Sequence, residues 1–545
     1  MPTTYLSPGV YVEEVPSAQQ PIAGVGTSTA GFIGIVPDFI KVPVPNDSYD
    51  PHLAQVISRG EGTTDKSKQE YASARQQLAA LVDDAKKKDR KETADLAAVA
   101  ELEGKLNEAK KRIEAIDEEL KRTGDAAVSN ERKNQLNRER ARLDKDRVGL
   151  EGQLTKAQEN AAKGITDEHF LRPYRMEPKK VEMPVLDAKL CTNFTEYTEK
   201  FGAYSSEDEE NGQHRALTHA VAGFFKNGGT RCWVIRIASS NGADIDNALH
   251  EFESIDEIAL VAAPGVPPSK DVWGRLVAHC ALMNDRFAIL DPPKDVGTGD
   301  DLAIAQLNYG TAVSDTIPDR DRNAAYYFPW LEVIDPAKQL MDQDPTRRVD
   351  PNNRGKIYVP PSGHIAGMYA RVDTERGVHK APGNEAILGV NDLRYYIGSR
   401  QQDSLNPQGV NCIRNLNGNI RVYGARTIGG DKNGEWKYVN VRRVMLFLKE
   451  SIDEGTQWVV FEPNDPALWA KIRRNVGAFL TNVWRSGALL GTTPQQAFYV
   501  KCDEETNPPE VRDVGQVITE IGVAIVRPAE FVIFRVTQWA GPTKS

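Results

Sequence analysis

Hydrophobic positions change period several times along this 545-residue chain, and each change predicts a different kind of element. Near the start, Val10 and Val12 alternate with Tyr11 and Glu13 between Pro8 and Pro16, the period-2 pattern of a strand. A Gly/Ser/Thr-rich stretch follows, with Gly24, Gly26 and Gly31 as a predicted hinge, and then the apolar run AGFIGIV. An extended, proline-bracketed segment at a chain end can pair with the sheet edge of another subunit or tuck into its own sheet. The pattern allows both.

From about Glu61 to Lys163 the period becomes helical, and the composition shifts to Ala, Glu, Lys, Arg, Gln and Leu with no proline. Leu102, Leu106, Ala109, Ile113, Ile116 and Leu120 recur at alternating fours and threes, as do Tyr71, Ala74, Leu78, Leu81 and Ala85. Gly124 and Asp125 interrupt, Ser129 suits an N-cap, and Leu136, Leu143 and Leu150 resume at sevens. This predicts an antiparallel helical hairpin. Its charges are nearly balanced, which fits a solvated coiled coil with intrahelical ion pairs or a partner-binding arm.

Strands and helices then alternate from about Asp187 to Val378: ALTHAVAGFFKNGG as helix, CWVIRIA and EIALVAAPG as strands, DVWGRLVAHCALMN as helix, and RFAILDPP, AAYYFPWLEVI and KIYVPP as strands. These strands are apolar enough to be buried on both faces, so an α/β layer domain is predicted. After Ala381 the order is mixed: a helix near Leu393 to Ile397, strands at NCIRNL and IRVYGARTI, then the helix VNVRRVMLFLKESI. The final stretch predicts a short buried strand from Trp458 to Phe461 and an Asn-Asp-Pro helix start. The helix Pro466 to Trp484 follows, with Leu468, Trp469, Ile472, Val476, Phe479, Leu480 and Val483 as its apolar stripe. Two strands close the chain, the last at Phe531, Val532, Ile533, Phe534 and Val536 beyond a bend at Pro528.

The predicted fold class is α/β and α+β multidomain. Residues 1–36 form an N-terminal arm and a strand joining a discontinuous C-terminal α+β core of residues 381–545. Residues 187–378 form an α/β middle domain, and residues 61–163 an inserted antiparallel, coiled-coil-like helical hairpin.

Charge narrows the function classes. A formal net charge of -9 disfavours a broad basic surface for nucleic acid. No apolar run approaches the roughly 20 residues that span a bilayer, and the N-terminus lacks a basic and an apolar signal region, which predicts cytosolic synthesis without stable membrane insertion. Five scattered cysteines without a CxxC predict buried free thiols. The glycine-rich GARTIGGDKNG lacks phosphate-loop spacing, the eight histidines never form HExxH, and no GxSxG elbow occurs. His214 and His219 do not share a helix face, and the acidic run Glu207 to Glu210 reads as a solvated loop. No catalytic, cofactor-binding or metal-ligating residue is predicted, which shifts the expectation toward an assembly protein.

Several segments are long enough to carry a family resemblance. They are YLSPGVYVEEVPS with PIAGVGTSTAGFIG, VPPSGHIAGMYARVDTERGVHKAPGNE, LNPQGVNCIRN, VYGARTIG, YVNVRRVMLFLKESIDEGTQWVVFEPNDPALW, AFYVKCDEETNPPE and GVAIVRPAEFVIFRV. Together they closely resemble the contractile tail sheath family of myophage tails, R-type bacteriocins and phage-tail-like injection particles. The resemblance covers residues 1–36 and about 190–541, and the insert departs from it.

It implies a non-enzymatic subunit without cofactor, stacked as hexameric rings around an inner tube, partnered by itself, the tube, the baseplate and a terminator or cap, with no direct nucleic-acid contact. Assembly in the cytoplasm into a virion tail or a releasable particle is implied, as is contraction that drives the tube through an envelope. It further implies that Val10, Tyr11, Val12 and Glu13, and Phe531, Val532, Ile533, Phe534 and Val536, are strands donated to neighbours. The Gly24, Gly26, Gly31 and Pro528 hinges then absorb rotation. Lys471 and Arg474 share a face off the apolar stripe and become expected tube contacts. Two other classes stay open: a coiled-coil-bearing adaptor or surface assembly protein, and an enzyme with an unrecognised site in the middle domain.

Overall fold

The computed structural model describes residues 22–88, 92–120, 130–162, 166–207, 212–296 and 317–535, which fall into two units. Val10 to Glu13, Val536, the Gly124–Asp125 break, Ser129 and residues 208–210 of the acidic run lie outside the described residues.

The first unit gathers the chain up to Val42, Glu177–Lys338 and Gly355 onward. Its centre is a nine-stranded sheet. In chain order its strands are β1 (Ala30–Ile35), β4 (Lys189–Cys191), β5 (Cys232–Ile237), β6 (Leu260–Gly265), β7 (Phe287–Leu290), β8 (Ala324–Phe328), β11 (Glu385–Ala386), β13 (Val410–Leu416) and β14 (Asn419–Val422). Outside this sheet lie β2 (Phe39–Pro45), β3 (Tyr174–Lys180), β9 (Leu331–Ile334), β10 (Lys356–Val359) and β12 (Asp392–Leu393). The spatial order in the nine-stranded sheet is β11-β14-β13-β8-β7-β6-β1-β5-β4. The six strands from β13 to β5 run parallel, β14 and β4 run antiparallel to them on either side, and β11 pairs antiparallel with β14 at the edge.

The apolar AGFIGIV run becomes β1, paired on both sides, with Phe32 opposite Val234 of β5 and Ala262 of β6. Alternation assigns its two faces. Phe32 and Gly34 face the helix Gly212–Lys226, where they meet Phe224 and Leu217, while Gly31 and Ile33 pack with Phe252 of the helix Gly242–Glu253. The helix Lys270–Met283 shares the latter face, and Ser362–Arg376 packs on Gly212–Lys226 through Gly363 and Gly367.

Several expectations are corrected here. β1 completes the α/β sheet, not a C-terminal core, because a strand apolar on both faces needs helices on each side. Gly31 is accordingly a packing glycine in a buried strand and not a hinge: a Cβ there would meet the Phe252 ring at 2.8 Å. The expected boundary at 378–381 cuts a continuous sheet, since β13 pairs in parallel with β8. Leu393 belongs to the short strand β12, and the helix lies later, at Ser399–Leu405.

The second unit comprises Pro43–Met176 and Gln339–Arg354, wider than the expected insert. The first of its two segments begins within β2 and ends within β3, which pair as a ribbon. The helix Pro51–Arg59, N-capped by Asp50 on His52 and Leu53 amides, packs on the helix Asp65–Lys88. Leu53, Ala54, Val56, Ala74, Leu78 and Leu171 form their core. The hairpin is made by Glu92–Leu120 and Asn130–Ala162 alone, with Leu106, Ala109, Ile116 and Leu136 buried. Its charges pair across the two helices as well as within them. Arg112 reaches Glu139 at 3.2 Å, Arg132 reaches Glu119 at 3.1 Å and Arg140 reaches Asp117 at 2.6 Å, which fixes an antiparallel register.

Candidate functional site

The residues after Val422 build the site around two helices, Val439–Thr456 and Pro466–Arg485. The second starts at Asp465, whose carboxylate accepts the Leu468 amide at 2.8 Å, with Pro466 at its first position. All seven expected stripe residues are buried and pack with Val444, Leu448 and Ile22 of the chain's start. Lys471 and Arg474 are exposed on the other side and form no ion pair among the described residues.

The expected strand Trp458 to Phe461 is instead a single 3-10 turn, Gln457–Val459, that reverses the chain between the helices. Phe461 is fully exposed there at 103% and carries a φ of 67°. A bulky side chain in that region costs of order 1–2 kcal/mol, so apolar sequence alone misassigned a tight turn as a buried strand.

Beyond this pair lies a ribbon of β15 (Phe498–Lys501) and β16 (Glu520–Val523), antiparallel with Tyr499 opposite Gly522. Its inner residues Phe498, Val500, Ile521 and Val523 rest on the helical core. Two strands alone are marginal, and among the described residues neither outer edge of this ribbon is paired.

Both ends of the described chain are fastened to the helix Val439–Thr456. At the start, Ile22 is buried against it, the Val25 amide donates to Ser451 Oγ at 3.1 Å, and Arg443 donates to the Thr27 carbonyl at 2.8 Å. Arg443 also binds Asp373 through both terminal nitrogens, at 3.0 and 2.6 Å, and Thr27 donates to the same carboxylate. Gly24 and Gly26 lie within this tethered stretch and are exposed.

At the other end the chain leaves β16, and the Val526 carbonyl accepts from Asn440 at 3.2 Å. Two residues beyond Pro528, Glu530 is gripped from several sides. Arg426 donates to both its oxygens at 2.7 and 2.9 Å, Asn406 at 2.8 Å and the Tyr438 hydroxyl at 2.9 Å, with Lys437 Nζ at 3.5 Å. Burial acts to raise the Glu530 pKa, but these hydrogen bonds and the Arg426 charge outweigh it and hold it down to about 2. Arg426 is itself only 2% exposed. After this clamp, Phe531, Val532, Ile533 and Phe534 are 71%, 68%, 79% and 85% exposed, and they form no strand within the chain. Sequence reading missed Glu530 and Arg426. Their spacing of about a hundred residues carries no signal, although an acidic residue just before an apolar terminal run is visible in retrospect.

At the sheet's carboxyl ends, where open α/β folds hold ligands, the ends of β1 and β6 are closely packed. A Cβ on Gly265 would meet the Gly34 Cα at 2.6 Å and Leu217 Cβ at 3.0 Å. Asp291, after β7, is buried and accepts from the Ser362 amide and hydroxyl at 2.8 and 2.5 Å, so it caps a helix. Burial pushes its pKa up to about 7. His214 is likewise closed in, bonded to Ser205 and the Phe201 carbonyl. Glu207 pairs with Lys338 at 2.9 Å. All five cysteines are buried and free. Among the described residues no group of His, Cys, Asp and Glu could hold a metal ion, and no helix is long and apolar enough to cross a membrane.

Two family models match over more than half of the chain: the phage tail sheath protein central domain at residues 238–428 and the phage tail sheath C-terminal domain at residues 431–538. The tail sheath protein of Vibrio phage KVP40 is 28% identical over 199 residues, 36% of this chain and 28% of that protein's length. Among solved structures, a chain of the anti-feeding prophage baseplate is 26% identical with a TM-score of 0.53, covering 66% of this chain and 90% of that one. The sheath complex of an extracellular contractile injection system in its contracted state is 27% identical with a TM-score of 0.52, covering 66% of this chain and 88% of that one.

Proposed function

We propose, because this chain belongs to the phage tail sheath family, that it is a structural, non-enzymatic subunit of a contractile sheath in a phage tail or phage-tail-like particle. Copies stack as six-membered rings around an inner tube and contract to drive that tube through a target envelope. The baseplate and a terminal cap are the further partners, and assembly takes place in the cytoplasm before any release.

The observation that carries the proposal is the pairing of an open-edged β15–β16 ribbon with an apolar arm held out of its own fold. Phe531, Val532, Ile533, Phe534 and Val536 are one donated strand, and Val10, Tyr11, Val12 and Glu13 the other. A donated strand of about six residues makes several main-chain hydrogen bonds, each worth roughly 0.5–1.5 kcal/mol net. Such links keep neighbours joined while cores rotate about Gly24 and Gly26 at one end and about the segment beyond the Glu530 clamp at the other. If contraction buries roughly 400 Å² more apolar surface per subunit, the gain is about 10 kcal/mol at ~25 cal/mol/Å², enough when summed over a sheath to do mechanical work without nucleotide. Exposed Lys471 and Arg474 are the proposed tube contacts.

Electron microscopy of the expressed protein tests this. Deleting residues 1–16 should leave monomers or short rings, and full-length striated cylinders from that variant would refute strand donation. In the same assay, reversing both charges at Lys471 and Arg474 should impair co-assembly with the tube, and normal tube-filled sheaths would remove that assignment.

A further inference from the structure

We propose that the Glu530–Arg426 ion pair determines which ribbon the C-terminal arm can join: by pinning the root of the arm away from its own β15–β16 ribbon, it reserves that ribbon for a neighbouring copy. The inference rests on the arm-exchange proposal above.

The path of the chain supplies the argument. Ala524 is still bonded beside the ribbon, its amide donating to the Ala497 carbonyl at 2.9 Å and its carbonyl accepting from Leu490 at 2.7 Å. Val526 then donates to the Ala488 carbonyl at 3.1 Å, and its carbonyl accepts from Asn440. By Glu530 the chain is held by Arg426, Asn406 and Tyr438, three groups outside the ribbon and its supporting helix Pro466–Arg485.

Without that hold, the four residues from Arg527 to Glu530, beyond the last bonded residue Val526, still match the length of a hairpin loop. The segment beyond them, FVIFR, is β-branched and aromatic, suited to the free edge of β16. An intramolecular partner on so short a tether competes at an effective concentration in about the millimolar range, far above that of a neighbour's arm before assembly. A self-paired arm would block the ribbon and withdraw the strand offered to the next subunit, and a single carboxylate fixed by a buried guanidinium prevents both. Arg426 is suited to this because its planar fork binds both carboxylate oxygens, fixing direction as well as distance.

Glu530→Gln in the full chain tests the idea by two readouts, sheath yield by sedimentation and amide hydrogen exchange of residues 531–535 in the unassembled protein. We expect yield at fixed concentration to fall roughly tenfold or more. Protection of residues 531–535 should rise, because the released arm folds back, whereas a merely loosened terminus would not gain protection. Normal yield, or reduced yield without added protection, overturns the proposal. If Arg426, left with Asp431 as its carboxylate partner, unfolds the variant, Arg426→Met with Glu530→Met removes the clamp while filling the space with apolar side chains and should reproduce both changes. Truncation after Glu530 separates the two levels: normal sheaths from it would refute arm exchange itself, whereas its failure alongside normal Glu530→Gln sheaths would refute only the clamp.

Discussion

At the scale of residues, the charges that matter are those placed against their own preference. Glu450, on the helix Val439–Thr456, stands among Asp285, Glu454, Asp453 and Asp256. Burial first, and then these carboxylates, raise its pKa from 4.5 to about 7. A carboxyl whose folded pKa lies above its unfolded one takes up a proton on folding, so the folded state is disfavoured above pH 7 and relieved as the pH falls toward 4.5. Glu450→Gln should therefore raise the thermal midpoint at pH 8, and the difference from the parent should vanish by about pH 4.5, where both proteins carry a neutral group. Melts at the two pH values check this; an equal shift at both would mean that the charge is not responsible. The buried histidines His214 and His364, lowered by burial to about 4 and about 3, act in the opposite sense. They leave folding unaffected above the ordinary histidine value and disfavour the folded state as pH drops below it, because only the unfolded chain then takes up the proton, but both proteins share them and the comparison cancels them.

At the scale of elements, periodicity revealed what packs, while closeness of approach decided what each element does. The stripe of Pro466–Arg485 was legible because burial of a helix face leaves a 3.6-residue pattern. The turn at Phe461 and the clamp at Glu530 were not, since backbone reversal and pairing across a hundred residues leave no local period. Gly31 shows the same limit, because glycine in sequence predicts freedom whether the backbone is loose or crowded. In β1 the place of its missing side chain is taken by Phe252. Gly31→Ala should thus destabilise the monomer by about 1–3 kcal/mol, as overpacking of a filled core does, measured as a shifted denaturant midpoint with unchanged slope. An unshifted midpoint accompanied by altered sheath contraction would restore the hinge assignment.

At the scale of the whole molecule, the two units face different demands. The family matches lie at 238–428 and 431–538, and except for Gln339–Arg354 they fall within the unit that carries the sheet, the paired helices and both arm roots. The solved relative is 90% covered by 66% of this chain, so about a third of this chain has little there to match. The second unit contains the strongest departure in composition, and its parts are separable. Helices Pro51–Arg59 and Asp65–Lys88 close their own core over Leu53, Ala74, Leu78 and Leu171 without help from the hairpin, whose buried residues form no part of that cluster. The hairpin in turn is held by its own seam and by cross-helix pairs such as Arg140–Asp117. Charge pairs this exposed set register and orientation more than strength, as expected of an appendage and not of a structural member. Replacing residues 92–162 by a flexible linker should leave sheath polymerisation and the thermal midpoint of the remaining chain unchanged, while abolishing any interaction that the hairpin alone can make. Sedimentation and electron microscopy of the excised protein decide it. If it no longer polymerises although it melts as the parent does, the hairpin belongs to the sheath's own lattice contacts.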